Sequence, residues 1–179
     1  MDIDMLVKLT TRAWSLRILA LMHRGTPGRQ ATLLAACGAG RTSFSHSLAH
    51  LEKLRLLERN PGHGHPLRPE FRLTTEGAAM ARLADRIEAA SPGTEEAALL
   101  RRAWTVPVLA VSREPRHFSQ IKGQLGGITD RALSQSLKTL TAADWLERWV
   151  NPAGHPPRPV YRAANAGAEI SRAVLRVTG

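Results

Sequence analysis

Four polar side chains recur at the spacing of one helix face: Arg131, Ser134, Gln135 and Lys138. Leu133, Leu137 and Leu140 mark the opposite face. A helix that buries those leucines turns the polar set outward. The chemistry such a set can do is recognition of a nucleic acid. Arginine's planar fork pairs with guanine, glutamine's amide pairs with adenine, and serine and lysine hold phosphates. The competing reading is an ordinary solvated helix face. Thr129 stands just before this helix as its expected N-cap, with Asp130 in the first turn. The equivalent stretch of the first half carries Thr42, Ser45, His46 and Ala49, with Arg41 one step earlier. That set is less basic. It either reads a different half-site or is a decayed copy that mainly packs.

A second cationic set is expected in two hairpins: Arg68 and Arg72 in one, Arg158 and Arg162 in the other, with His65 and His155 near the tips. Hairpin arginines of this kind reach phosphates or a narrow minor groove, and the adjacent prolines stiffen the loop that holds them. The alternative is a solubilising hairpin. Other chemistry is poorly supported. His63, His65 and His155 with the single cysteine, Cys37, lack the ligand spacing of a structural zinc site. Cys37 sits where a small apolar core residue fits, the alternative being a redox sensor. Trp145 and Trp149 read as core or interface residues. No phosphate-binding glycine loop and no nucleophile–base set is legible, so an enzyme is not expected, and neither is a cofactor.

Composition agrees with a polyanionic partner. The 179 residues carry a formal net charge of +10, with a pI of about 11.3, and the cations are mostly arginine. The chain is 43% hydrophobic, enough for packed cores. One cysteine excludes an intrachain disulfide. The start, with Asp2 and Asp4, is not that of a signal peptide. The apolar stretch at 15–22 is interrupted by Arg17 and too short to span a bilayer. A soluble cytoplasmic protein without membrane association is expected.

The elements that must position these residues are written twice. Arg12-Ala13-Trp14 returns as Arg102-Ala103-Trp104, and Gly64-His65-Pro66 as Gly154-His155-Pro156, each at a shift of 90. Ser45, Ser47, Leu48, Leu51 and Glu58-Arg59 return as Ser134, Ser136, Leu137, Leu140 and Glu147-Arg148 at a shift of 89. Ordered matches at nearly one shift indicate a duplication, divided here as 1–90 and 91–179. The halves hold 13 basic with 8 acidic residues and 12 with 7, so each carries +5.

Each half reads alike. Trp14, Ile18, Leu19 and Met22, and Trp104, Val108, Leu109 and Val111, have helical spacing. A short helix follows at about 29–37 and 117–125, then a glycine turn, then the leucine-striped helix. A Pro/Gly/His-rich hairpin and a final amphipathic helix close each half. The closing stripes are Met80, Leu83, Ala84 and Ile87, and Ile170, Ala173, Val174 and Val177. Those two stripes either cover one another or pack each on its own domain. Helix, helix, glycine turn, helix, hairpin, helix is a winged helix-turn-helix, so the fold class is mainly α with small β-wings (α+β), in two tandem domains.

With Phe118-Ser119, Ile128-Thr129, Leu133-Ser134, Leu146-Glu147-Arg148 and the run from Arg158 to Tyr161, the second half resembles the HxlR-type bacterial regulators. The first half resembles them through Trp14, Leu48, Leu51, Leu57-Glu58-Arg59, Phe71 and Leu73-Thr74 ahead of Gly77. The resemblance implies a sequence-specific regulator of transcription that binds double-stranded DNA. Such proteins typically carry one domain per chain and work as homodimers. Two fused copies would then act as an intrachain pseudo-dimer, or pair again as a homodimer, on an imperfect inverted repeat. Any small-molecule effector is unspecified. The rival reading is a tandem winged-helix adaptor for protein partners, against which the +5 of each half counts. Departures from the family pattern are clear. Arg55 and Asp144 stand where glycine usually ends the recognition helix, Arg-Ala replaces Gly-Lys before the first Trp, the first half lacks an aromatic matching Phe118, and Ala163-Ala164 replaces Leu-Thr.

Overall fold

A computed structural model describes residues 2–60, 70–91, 93, 96–151 and 157–175. The chain divides into two compact units. One comprises Arg12–Ala89, the other Met1–Thr11 with Ala90–Gly179.

The Arg12–Ala89 unit contains α2 (Ser15–His23), α3 (Gln30–Cys37), α4 (Arg41–Lys53), β1 (Leu57–Asn60), β2 (Glu70–Leu73) and α5 (Thr75–Ala89). Its core gathers Ile18, Leu19, Leu33, Phe44, Leu48, Leu51, Phe71, Leu83 and Ile87, all buried. The helical spacing of those residues explains the elements: each helix buries one stripe and exposes the rest. β1 and β2 pair antiparallel, with Leu57 opposite Leu73 and Arg59 opposite Phe71. A single bridge between Arg29 and Glu70 extends this hairpin sideways. Gly38 ends α3 at φ 70°, a left-handed turn that glycine enters without strain. Cys37, beside it, is buried.

The other unit repeats this plan with α6 (Thr105–Val111), β3 (Arg116–His117), α7 (Phe118–Leu125), α8 (Asp130–Ala142), β4 (Leu146–Asn151), β5 (Arg158–Ala163) and α9 (Asn165–Leu175). A 3-10 helix spans Glu96–Arg101. Here the sheet has three strands, ordered β3-β5-β4. Trp149 lies opposite Val160, and Arg148 opposite Tyr161. Trp145 is a core residue, whereas Trp149 is 37% exposed.

The unit also holds α1 (Ile3–Thr10), which the division at residue 90 had placed with the first half. Asp2 caps α1 by accepting from the Asp4 N–H. Leu6 and Leu9 are fully buried, and α1 packs on α6 and α7. The buried Thr10 hydroxyl donates to the Ala103 carbonyl at 2.7 Å. Two fully buried leucines stabilise this placement by about 1.5–3 kcal/mol each.

The closing helices settle the alternative left open by their stripes. α5 packs chiefly on α2, tied by Arg17–Glu88 at 2.9 Å and Arg24–Asp85 at 2.5 Å. α9 packs chiefly on α6. Each stripe is thus covered inside its own unit. Val177 lies outside the described residues.

Both copies share one close approach. A Cβ on Gly77 would lie 1.8 Å from the Leu56 carbonyl oxygen, and one on Gly167 would lie 2.0 Å from that of Trp145. Only glycine lets the closing helix start so near the end of the recognition helix.

Candidate nucleic-acid interface

The recognition helix of the second copy is α8. Its N-terminus is built as expected: the Thr129 hydroxyl accepts from the Ala132 N–H at 3.2 Å. Asp130 pairs with Lys122 of α7 at 2.6 Å, which joins the two helices of the motif. Leu133, Leu137 and Leu140 are buried, while Arg131, Ser134, Gln135 and Lys138 are exposed together on the opposite side. Gln135 donates to Thr139 Oγ1 at 3.2 Å, one turn along the helix. Arg131 and Lys138 make no ion pair among the described residues. Two unneutralised cations on an exposed helix face create a local positive field suited to phosphate.

The first copy's recognition helix, α4, is exposed at Arg41, Thr42 and His46, and half-buried at Ser45. Its N-cap is Gly40, with no side-chain cap. Phe44, Ser47, Leu48 and Leu51 form the inner face. Ser47 Oγ donates to the Ser43 carbonyl and accepts from the Trp14 N–H at 3.4 Å. That serine belongs to packing rather than to the outer face.

Wing arginines divide into two kinds. Arg72 pairs across the hairpin with Glu58 at 2.6 Å, and Arg162 pairs with Glu147 at 2.9 Å. Arg162 also lies over the Trp149 ring, 5.7 Å from its centroid. Both guanidinium groups are therefore partly neutralised within the protein itself. Arg158, at the start of β5, is exposed and makes no ion pair among the described residues. Arg68, His63, His65 and His155 lie outside the described residues. Among the described residues, no cluster of three metal-ligating side chains forms.

The recognition helices end alike. Arg55 and Asp144 take φ 57° and φ 56°, the left-handed region where the family pattern has glycine. The backbone geometry of the turn is kept although glycine is gone, at a cost of about 1–2 kcal/mol for an ordinary side chain. Different groups hold the two turns. Thr74 Oγ1 donates to the Arg55 carbonyl at 2.8 Å and accepts from the Gly77 N–H at 2.9 Å. In the second copy Ala164 stands in the place of Thr74, and Asn165 Nδ2 donates to the Asp144 carbonyl at 2.9 Å instead.

One candidate side chain escaped the sequence reading. Arg148, on β4, is exposed and makes no ion pair among the described residues, beside Lys138 and Ser134 of α8 and Phe118 and Tyr161. The available signal was the repeat itself. Arg59 and Arg148 match, but their neighbours Glu52 and Thr141 do not.

No helix among the described residues is long and apolar enough to cross a membrane. Comparison with known proteins places this geometry. A family model described as HxlR-like helix-turn-helix matches residues 9–92 and again 99–178. A protein of Escherichia coli K12 named "Uncharacterized HTH-type transcriptional regulator YtfH" is 33% identical over 72 residues, covering 40% of this chain and 56% of that protein. Its Shigella flexneri counterpart of the same name matches equally. The chain thus spans about half the length of these relatives.

Proposed function

The chain belongs to the HxlR-like helix-turn-helix family, and from that premise we propose that it regulates transcription by binding specific duplex DNA through two recognition helices. The observation that carries this reading is the outer face of α8, where Arg131, Ser134, Gln135 and Lys138 are exposed together, both cations without an ion pair among the described residues. Such a helix enters the major groove with its N-terminal residues at base edges. In this role Arg131 and Gln135 read bases, and Ser134 and Lys138 hold phosphate, as does Arg158. Thr129 fixes the helix start. α4 adds a second, weaker reading head through Arg41, Thr42, Ser45 and His46. Arg72 and Arg162 contact phosphate only by sharing or releasing their glutamates, an exchange costing about 0–1 kcal/mol for exposed pairs. Arg68 belongs to the same wing.

The two copies work as an intrachain pseudo-dimer on an imperfect inverted repeat, with half-sites spaced about one turn of DNA. Fusion of two family domains supports this. So does α1, which opens the first half of the sequence yet buries Leu6 and Leu9 in the unit made by the second. Because the outer faces of α4 and α8 differ, the half-sites differ.

Selection from random duplex DNA by the intact chain tests the reading. Enriched sequences with two unequal half-sites are expected. If about 6–8 phosphates are contacted, log K falls against log salt with a slope of roughly −5 to −7. Absence of any enriched sequence at low salt would favour the protein-adaptor reading. Sedimentation with the selected DNA should give one chain per site.

A further inference from the structure

The second copy carries a cleft of about 410 Å³ beside its recognition helix, large enough for a small organic molecule. Phe118, Leu137 and Tyr161 provide flat apolar walls, and Lys138 and Arg148 provide two cations. No carboxylate is among the residues that line it. Neither cation has an ion-pair partner among the described residues, so the cleft concentrates positive charge on an apolar surface.

The first copy indicates what such a cleft recognises. Arg59 is the counterpart of Arg148, Phe71 of Tyr161, and Glu52 of Thr141. There Arg59 donates from Nε to Glu52 Oε1 at 2.9 Å, and its guanidinium lies over the Phe71 ring at 5.8 Å. The hydrogen bond first, and the carboxylate's charge second, raise the Arg59 pKa above its ordinary value. The first copy thus fills its site with a carboxylate of its own. In the second copy that carboxylate is replaced by Thr141, the matching arginine has no ion-pair partner among the described residues, and Lys138 in place of Ala49 adds a second cation.

We infer that the cleft of the second copy binds a small organic carboxylate with a flat apolar body, whose oxygens take the position that the Glu52 carboxylate holds beside Arg59. Arg148 receives the carboxylate as a charge-assisted pair, Lys138 adds its charge, and Phe118 and Tyr161 pack on the ring. Because Ser134 and Lys138 belong both to this cleft and to the outer face of α8, occupancy competes with DNA. That competition rests on the DNA-binding reading; the carboxylate site itself does not.

The probe is naphthalene-2-carboxylate, titrated by calorimetry into the full chain at fixed ionic strength, with its neutral amide and inorganic phosphate as controls. The carboxylate should bind about tenfold or more tightly than the amide, and phosphate should not displace it. Arg148→Gln, at an exposed position, should weaken binding about tenfold or more. Thr141→Glu should abolish it by supplying the internal carboxylate that the first copy already has. Unchanged affinity in both variants overturns the inference. Equal competition by phosphate also overturns it, and marks the cleft as a seat for the DNA backbone. With a selected DNA, the probe should lower affinity for the wild-type chain. Probe binding without loss of DNA affinity removes the competition. A chain that binds the probe but no DNA leaves the site standing and defeats the DNA reading.

Discussion

The two copies keep the same skeleton and have diverged on its outer surface. Gly77 and Gly167 make the same close approach to a recognition-helix end. Arg72–Glu58 and Arg162–Glu147 are the same cross-strand pair. Arg55 and Asp144 hold the same left-handed turn. The differences lie where little packing constrains them. α8 has a side-chain cap and, on its outer face, two cations without an ion pair among the described residues, whereas α4 starts at an uncapped glycine and presents Thr42, His46 and Ala49. Arg59 is bound by Glu52, but Arg148 has no ion-pair partner among the described residues. The two copies thus share the contacts that fold them and differ in the polar groups of their outer faces.

The largest effect should come from the shared skeleton. Leu137→Ala and Leu48→Ala each remove a buried leucine from the inner face of a recognition helix and should each cost about 2–5 kcal/mol in urea denaturation. A large cost in one and little in the other would break the claim of equivalent cores.

Next comes the outer face. Arg131→Ala should cost about 1–3 kcal/mol in affinity for the selected DNA and relax preference at one base position. Lys138→Ala should weaken all sequences alike and reduce the salt slope by about 1. Thr42→Ala and His46→Ala should cost less than Arg131→Ala. If they cost more, the second copy does not dominate.

Smaller still is the cap. Thr129→Ala should lower stability by about 1 kcal/mol, through loss of the bond to the Ala132 N–H. Gly40, with no side-chain cap to lose, predicts the opposite response in the first copy: Gly40→Ser should be neutral or slightly stabilising.

The smallest expected effect sharpens the comparison at the turns. Arg55→Gly should stabilise by about 0.5–1 kcal/mol, since glycine accepts the left-handed turn without strain. Asp144→Gly should gain less, because aspartate tolerates that conformation better. Thermal unfolding of the full chain measures both. Equal or negative shifts would show that other contacts of these side chains outweigh the backbone strain.

Much of the architecture was legible because periodicity carries it. Leu133, Leu137 and Leu140 recur with the helix repeat, so their burial and the exposure of Arg131, Gln135 and Lys138 follow from one pattern. The ordered repeats made the duplication readable, and Thr129 announced the start of α8. The site was less legible. Arg72 and Arg162 were readable as wing cations, but not as partners of glutamates on the facing strand. Ser45 was expected outside, yet α4 holds it half-buried.

By itself the sequence determined the two copies, their helices and turns, and the polar face of α8, because these depend on residues a few positions apart. Only the tertiary structure decided where α1 packs, which helix covers each closing stripe, and which arginines are paired with a carboxylate. Those outcomes depend on groups far apart in the chain: Thr10 with Ala103, Arg17 with Glu88, Arg72 with Glu58. Helical spacing names the face of a helix that must be buried. It does not name the surface that buries it, nor the carboxylate that chain folding brings to a given guanidinium.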